Sequence, residues 1–179
     1  MEEKDFSDEE LAVLALKEES SFILLISRYK RRLFSYLRYL TRLGEDDIED
    51  ILQNIFIKIY YNLNDFDGGL KFSSWAYRIA HNEAISHLRK IKPSVSLSCE
   101  SFGDIPDDCD ISKELDIVFD NEKISKTVCE MDEKYREIII LKYFQQRDYK
   151  EISDILKKPM GTVATLVNRA KKQFKQKYQ

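Results

Sequence analysis

Glycine and proline are scarce in this 179-residue chain, five and three respectively. That is too few for the tight turns of an all-β fold. No stretch approaches the ~18 apolar residues of a membrane-crossing helix. The acidic start, MEEKDFSDEELAVLALKEE, lacks the basic leader of an export signal, so a cytoplasmic protein is expected. The three cysteines, Cys99, Cys109 and Cys129, show no CxxC spacing, and the two histidines, His81 and His87, no HxxxH spacing. Free thiols, no metal and no other cofactor are expected. Also missing are a Ser–His–Asp order, a phosphate-cradling glycine loop and a paired-carboxylate spacing. The sequence therefore offers no catalytic residue, and no enzyme is expected. Finally, acidic residues vanish from 156–179, LKKPMGTVATLVNRAKKQFKQKYQ, where seven side chains are Lys or Arg although the whole chain carries a formal charge of -3.

What is present is helical periodicity. Ser7 and Glu10 form a capping-box pattern ahead of Leu11 and Leu14. Phe22, Ile26, Tyr29, Leu33, Leu37 and Leu40 recur at the spacing of one long amphipathic helix ending near Gly44. Ile48, Ile51, Ile55, Ile59 and Leu63 form a second stripe. NDFDGGLKFS interrupts the pattern as a loop, and Ser73 is placed to cap a third long helix through Ala76, Ile79 and Leu88 to about Lys92. The stretch PSVSLSCESFGDIPDDCDIS holds Pro, Gly, Ser and acids without a sustained period, which reads as a linker. Beyond it, Leu115, Val118 and Phe119 lead towards Val128. Asp132 is placed to cap a helix with Tyr135, Ile138 and Leu141, and Asp148 with Glu151 repeats the capping pattern. Val163, Val167, Ala170 and Phe174 form the stripe of the last, basic helix. A short helix, a turn and a longer basic helix read as helix-turn-helix.

Two further stretches suggest chemistry. FDGGLKFSSWAYRIAHNEAISHLRK interleaves Phe66, Phe72, Trp75 and Tyr77 with Lys71, Arg78, Arg89 and Lys90. Rings beside cations suit an unpaired nucleic-acid strand, and a packing role under the loop fits Phe72 and Trp75 equally. EDILQNIFIKIY places Asp50, Gln53 and Ile57 beside a strong apolar stripe, as either a docking surface or a solvated face.

On these residues the chain resembles the extracytoplasmic-function (ECF) sigma factors of the sigma-70 family. EDILQNIF is similar to the family's Asp-Leu-x-Gln-Glu-x-Phe motif, with Asp50, Gln53 and Phe56 in register. FSSWAYRIAHNEAISHLRK is similar to the segment that melts and reads the minus-ten element. DEKYREIIILKYFQQRDYKEISDILKKPMGTVATLVNRAKK is similar to the region that binds the minus-thirty-five element. Asn54 stands where the family usually has Glu, Lys157 and Lys158 where the turn commonly has Gly and an apolar residue, and Ala164 and Leu166 where many relatives carry cations.

The resemblance implies an all-α chain of two small helical domains. These are region 2 over 1–92 and region 4 over 114–179, joined by a flexible acidic linker over 93–113. It implies promoter-specific transcription initiation as a subunit of core RNA polymerase. Polymerase docking would fall to Asp50, Gln53 and Phe56. The minus-ten strand, unpaired, would meet Phe72, Trp75, Arg78, Asn82, Ser86, Arg89 and Lys90. Upstream duplex would meet Thr162, Ala164, Thr165, Asn168, Arg169, Lys171 and Lys172. It also implies an anti-sigma factor, often membrane-bound in this family. The competing reading is an autonomous helix-turn-helix regulator with an N-terminal sensing or dimerisation domain. Such a protein has no reason to carry the Asp50–Phe56 motif.

Overall fold

The computed structural model describes residues 6–90, 111–115, 117 and 120–179. Helix α1, Asp8–Leu14, opens on the expected capping box. Ser7 Oγ accepts from the Glu10 backbone and the Glu10 carboxylate accepts from the Ser7 backbone, so two orphan N–H groups are satisfied reciprocally. Helix α2, Glu19–Thr41, runs 23 residues, ~35 Å at 1.5 Å per residue. It ends on Arg42 with φ 59°, left-handed backbone that glycine adopts more readily. Gly44 precedes α3, Glu45–Tyr61, whose first turn holds Glu45, Asp46 and Asp47, charges suited to a helix N-terminus. A short 3-10 turn, Leu63–Asp65, leads into the loop, and α4 spans Phe72–Lys90.

Helix α4 begins two residues earlier than the Ser73 cap implies. Its first N–H, on Phe72, donates to the Glu9 carboxylate at 2.8 Å. The cap comes from α1, and Ser73 is left inside the first turn with its hydroxyl free for other work.

In the C-terminal half, α5 is Ile111–Leu115 and α6 is Asn121–Cys129, capped by Asp120 Oδ1 on the Lys123 N–H. Helix α5 opens within the stretch read as linker; residues 93–110, with Cys99 and Cys109, and Val118 and Phe119 lie outside the described residues. Cys129 is buried at the end of α6. Helix α7, Glu133–Ile139, passes into one turn of π-helix, Ile140–Phe144, closed by the Gln145 N–H on the Ile140 carbonyl. Helix α8 is Tyr149–Leu156 and α9 is Met160–Tyr178. All the described elements are helical.

The buried apolar side chains form a single cluster from α1 to α9. Helix α4 packs on α8, and α2 on α7 and the π turn, so the two halves share a boundary. At ~25 cal/mol per Å² of apolar surface, burying rings such as Tyr36, Tyr39, Phe72 and Phe174 is the main source of stability.

Candidate functional site

Helix α3 turns Ile48, Ile51, Leu52, Ile55 and Ile59 inward. Asp50 and Gln53 are exposed on the opposite side, three residues apart and hence neighbours. Phe56 is partly buried against the core. Asn54, the family departure, donates from Nδ2 to the Asp50 carbonyl at 3.0 Å. The exposed face continues through Ile57, Tyr60 and Tyr61.

On α4, residues 75, 78, 82, 86 and 89 fall at helical spacing along one stripe. Asn82, Ser86 and Arg89 are exposed, as is Lys90, and Arg78 is half-buried. Phe72 and Trp75 sit deeper. Trp75 is 9% exposed, its ring centroid 5.4 Å from Phe66 and 5.7 Å from Phe72, and Phe72 meets Tyr29 edge-on at 5.3 Å. In this conformation both rings support the loop, and a base stacking on them would require the loop to rearrange.

The helix-turn-helix is complete. Asp148 Oδ1 accepts from the Glu151 N–H at 2.7 Å and Glu151 Oε2 from the Asp148 N–H at 3.0 Å. The backbone N–H of Glu151 first, and Lys71 after burial's opposing effect, hold the Asp148 carboxyl below the usual Asp range. Lys157 ends α8 at φ 53°, and Ser153 Oγ donates to the Lys158 carbonyl at 2.6 Å, tying the turn. Helix α9 buries Val163, Val167, Ala170 and Phe174. Thr162, Thr165, Asn168, Arg169 and Lys172 share its exposed side, with Ala164 at the edge. Thr165 Oγ1 donates to the Gly161 carbonyl at 2.9 Å, leaving its lone pairs available. Lys171 is different: its ammonium lies 2.8 Å from the Glu114 carboxylate of α5, and its side chain is 25% exposed. Here it ties α9 to α5 and turns partly away from solvent.

Between the halves lies a set of groups that local spacing did not reveal. Two buried carboxylates of the C-terminal half organise it. Glu137, on α7, accepts from the Tyr36 hydroxyl at 3.4 Å and pairs with His81 Nδ1. Glu151, on α8, accepts from Arg147 at 3.2 Å and Ser73 Oγ at 3.3 Å, and faces the Lys71 ammonium at 3.5 Å. Asp148 lies 3.4 Å from Lys71. Glu151, joined by Asp148, raises the Lys71 pKa above the usual Lys value. The Tyr77 hydroxyl donates to Gln145 Oε1, and the Arg147 guanidinium lies 4.6 Å above the Tyr77 ring. Arg136, 5% exposed, donates to the carbonyls of Cys129 and Leu40, and the Tyr39 and Phe144 rings meet edge-on at 4.8 Å. The one signal for it in the sequence is the charged Arg136–Glu137 pair directly before the apolar Ile138–Leu141 run.

The comparisons with known proteins agree with the layout. The family model described as Sigma-70 region 2 matches residues 25–93, and that described as Sigma-70, region 4 matches residues 121–174. The chain is 33% identical over 168 residues to the ECF RNA polymerase sigma factor SigW of Bacillus subtilis, covering 86% of this chain and 87% of that protein. It is 31% identical over 178 residues to the ECF RNA polymerase sigma-E factor of Haemophilus influenzae, covering 90% and 89%. Among solved structures, CnrH in complex with the cytosolic domain of CnrY superposes with a TM-score of 0.70 at 21% identity, covering 94% of each chain. The sigma factor RpoE in complex with the anti-sigma factor NepR from Bartonella quintana gives 0.64 at 20% identity, covering 85% of this chain and 92% of that one. These two likenesses are ones of fold. With both regions matched in order and relatives aligned over most of their length, the chain belongs to the ECF sigma factors of the sigma-70 family.

Proposed function

We propose that this protein binds core RNA polymerase and directs it to a class of promoters, without catalysis of its own. The observation that carries the reading is the presence of three separate exposed faces on one chain. The α3 face with Asp50 and Gln53 suits polymerase docking, with Phe56 anchoring it from beneath. The α4 stripe with Arg78, Asn82, Ser86, Arg89 and Lys90 suits an unpaired strand, since the Asn amide both donates and accepts at a base edge and cations meet phosphates. The α9 side with Thr162, Ala164, Thr165, Asn168, Arg169 and Lys172 suits a major groove and its flanking phosphates. Division at the boundaries 1–92, 93–113 and 114–179 gives each DNA-facing face its own domain.

Two of the solved structures with this fold are complexes, one with the cytosolic domain of CnrY and one with the anti-sigma factor NepR, which supports a protein regulator for this chain as well. No helix of the described residues is long and apolar enough to cross a membrane, which suits work on cytoplasmic DNA. The test is transcription in vitro with purified core polymerase on genomic templates, mapping RNA start sites. Start sites sharing a minus-ten and a minus-thirty-five motif are expected, with Asn82→Ala altering base preference only in the downstream motif. No specific initiation above core polymerase alone would reject the reading.

A further inference from the structure

Helix α1 lies before the residues matched to region 2, which begin at 25, and none of the three exposed faces uses it. Two of its side chains nevertheless converge on Phe72, the point where the loop enters α4. The Glu9 carboxylate accepts from the Phe72 N–H at 2.8 Å, a donor that lacks a partner one turn back in the helix. Asp8 accepts from the Tyr29 hydroxyl at 2.6 Å and from the Arg28 guanidinium at 2.7 Å. The Tyr29 ring in turn meets Phe72 edge-on at 5.3 Å. One acid of α1 thus holds the Phe72 backbone directly, and the other holds its side chain by way of a ring.

The two sides of Phe72 differ. Within α4, Phe72 is 1% exposed and Trp75 9%. In the loop before it, Asp67, Gly68, Gly69 and Leu70 are all exposed. The bonds there are local ones, from the Gly69 N–H to Asp67 Oδ1 at 3.0 Å and from the Leu70 N–H to the Asp67 carbonyl at 2.9 Å. Phe66 is only partly buried where it meets the Phe72 and Trp75 rings. A base reaches those rings when Phe66 and the loop swing away. A swinging segment needs a fixed pivot, and the capped first turn of α4 is placed to be one. Were that turn to fray, an arriving strand would have to order the two rings as it bound, at a cost in affinity.

We propose that Glu9 is a positioning residue for the minus-ten strand. By capping Phe72 it fixes the pivot about which the 66–71 loop opens, and it keeps the Phe72 and Trp75 rings oriented to stack on an unpaired base. Glu9 acts through the α4 backbone rather than by contact with a nucleotide, and Asp8 with Tyr29 supports the same point from the side. The inference rests on the role proposed above for α4.

Trp75 is the only tryptophan in the chain, so its fluorescence reports on the pivot directly. Glu9→Ala should shift Trp75 emission to longer wavelength and increase its quenching by acrylamide. Glu9→Gln, whose amide oxygen still accepts the N–H, should match the wild type. With core polymerase, Glu9→Ala should lower initiation about fivefold, the effect of losing one N-cap. The loss should persist on templates premelted over the minus-ten motif of the mapped start sites, and Glu9→Gln should restore initiation. Binding of the holoenzyme to a duplex carrying the upstream motif alone should not change. An unaltered Trp75 spectrum in Glu9→Ala, initiation equal to wild type, or no restoration by Glu9→Gln each overturn the inference. An equal fall in upstream binding also overturns it, because general loss of fold would then explain the defect. Should Glu9→Ala lose its helical circular dichroism, Glu9→Asp, which keeps the charge but is one methylene shorter, takes its place under the same criteria. Wild-type protein that gives no specific initiation rejects the proposed function and this inference with it. Specific initiation that is indifferent to Glu9 rejects this inference alone.

Discussion

Single residues carry conformational strain and recognition here. Lys157 ends α8 in left-handed backbone, φ 53° and ψ 43°, and its side chain is exposed. A side chain with a Cβ costs roughly 1–2 kcal/mol there relative to glycine, partly offset by the greater unfolded-state freedom of glycine. Lys157→Gly should therefore stabilise the protein by about 1 kcal/mol, raising Tm by roughly 2–4 °C in a thermal melt. A lower Tm would show that the Lys157 side chain contributes more than its backbone costs. On α9, Arg169 can present a guanidinium fork to a base edge, whereas Lys172 offers a single mobile charge. Arg169→Ala should cost about 1–3 kcal/mol of promoter binding and alter base preference upstream. Lys172→Ala should weaken all promoters alike and reduce the salt slope by roughly one unit. Lys171→Ala should change that slope less than Lys172→Ala, because its ammonium is already paired with Glu114. A promoter library assayed across a salt series with each variant distinguishes reader from gripper.

At the level of the element, α3 and α8 make separate predictions. Helix α3 uses its isoleucines for packing, and Asp50 and Gln53 project away from them. Replacing both by Ala removes no buried group and puts a better helix former at each position. The double variant should keep its helical circular dichroism while losing co-purification with core polymerase. Full retention would remove this helix as the docking face. In α8, Asp148 has its carboxyl held low mainly by the Glu151 N–H it accepts from, with Lys71 adding to the effect. A carboxyl lowered in the folded state stabilises fully above its unfolded value of about 3.9 and loses that contribution as pH falls through the folded value. Acidification below about pH 4 should thus destabilise the wild type more than Asp148→Asn, which caps without a titrating charge. Urea midpoints measured from pH 7 down to pH 3 provide the comparison.

For the whole molecule, the relevant fact is that one apolar cluster runs through both halves and that the faces joining them are mutually complementary. Chain connectivity alone would give the two halves a raised effective concentration for adjacent DNA elements. In this packing α8 sits on α4 and α2 on α7 and the π turn, so the two halves are not placed independently. Isolated full-length chain should therefore bind a duplex carrying both promoter motifs no more tightly at physiological salt than a duplex carrying the upstream motif alone. Addition of core polymerase should make the second motif matter, in gel shifts with the two duplexes. Tight binding of free protein that depends on both motifs would mean the halves separate without help.

The sequence by itself determined the helices and the side each one buries. Capping boxes at Ser7–Glu10 and Asp148–Glu151 and the stripes of α2, α3 and α9 depend on neighbours three or four residues away, and those distances are printed in the chain. The order of motifs was enough to mark the family and the three candidate faces, for the same reason: each motif lies within one or two elements. Tertiary structure decided what lies between elements. The cap on α4 comes from Glu9, 63 residues before Phe72, where local spacing pointed to Ser73. Trp75, equally suited to a base or a core, is packed against Phe66 and Phe72. Lys171 is tied to a carboxylate 57 residues away, and Glu137 meets Tyr36 across 101 residues. Periodicity reports which face of a helix avoids water but not what covers it, and a buried carboxylate looks like a surface one until its donors arrive from another part of the chain.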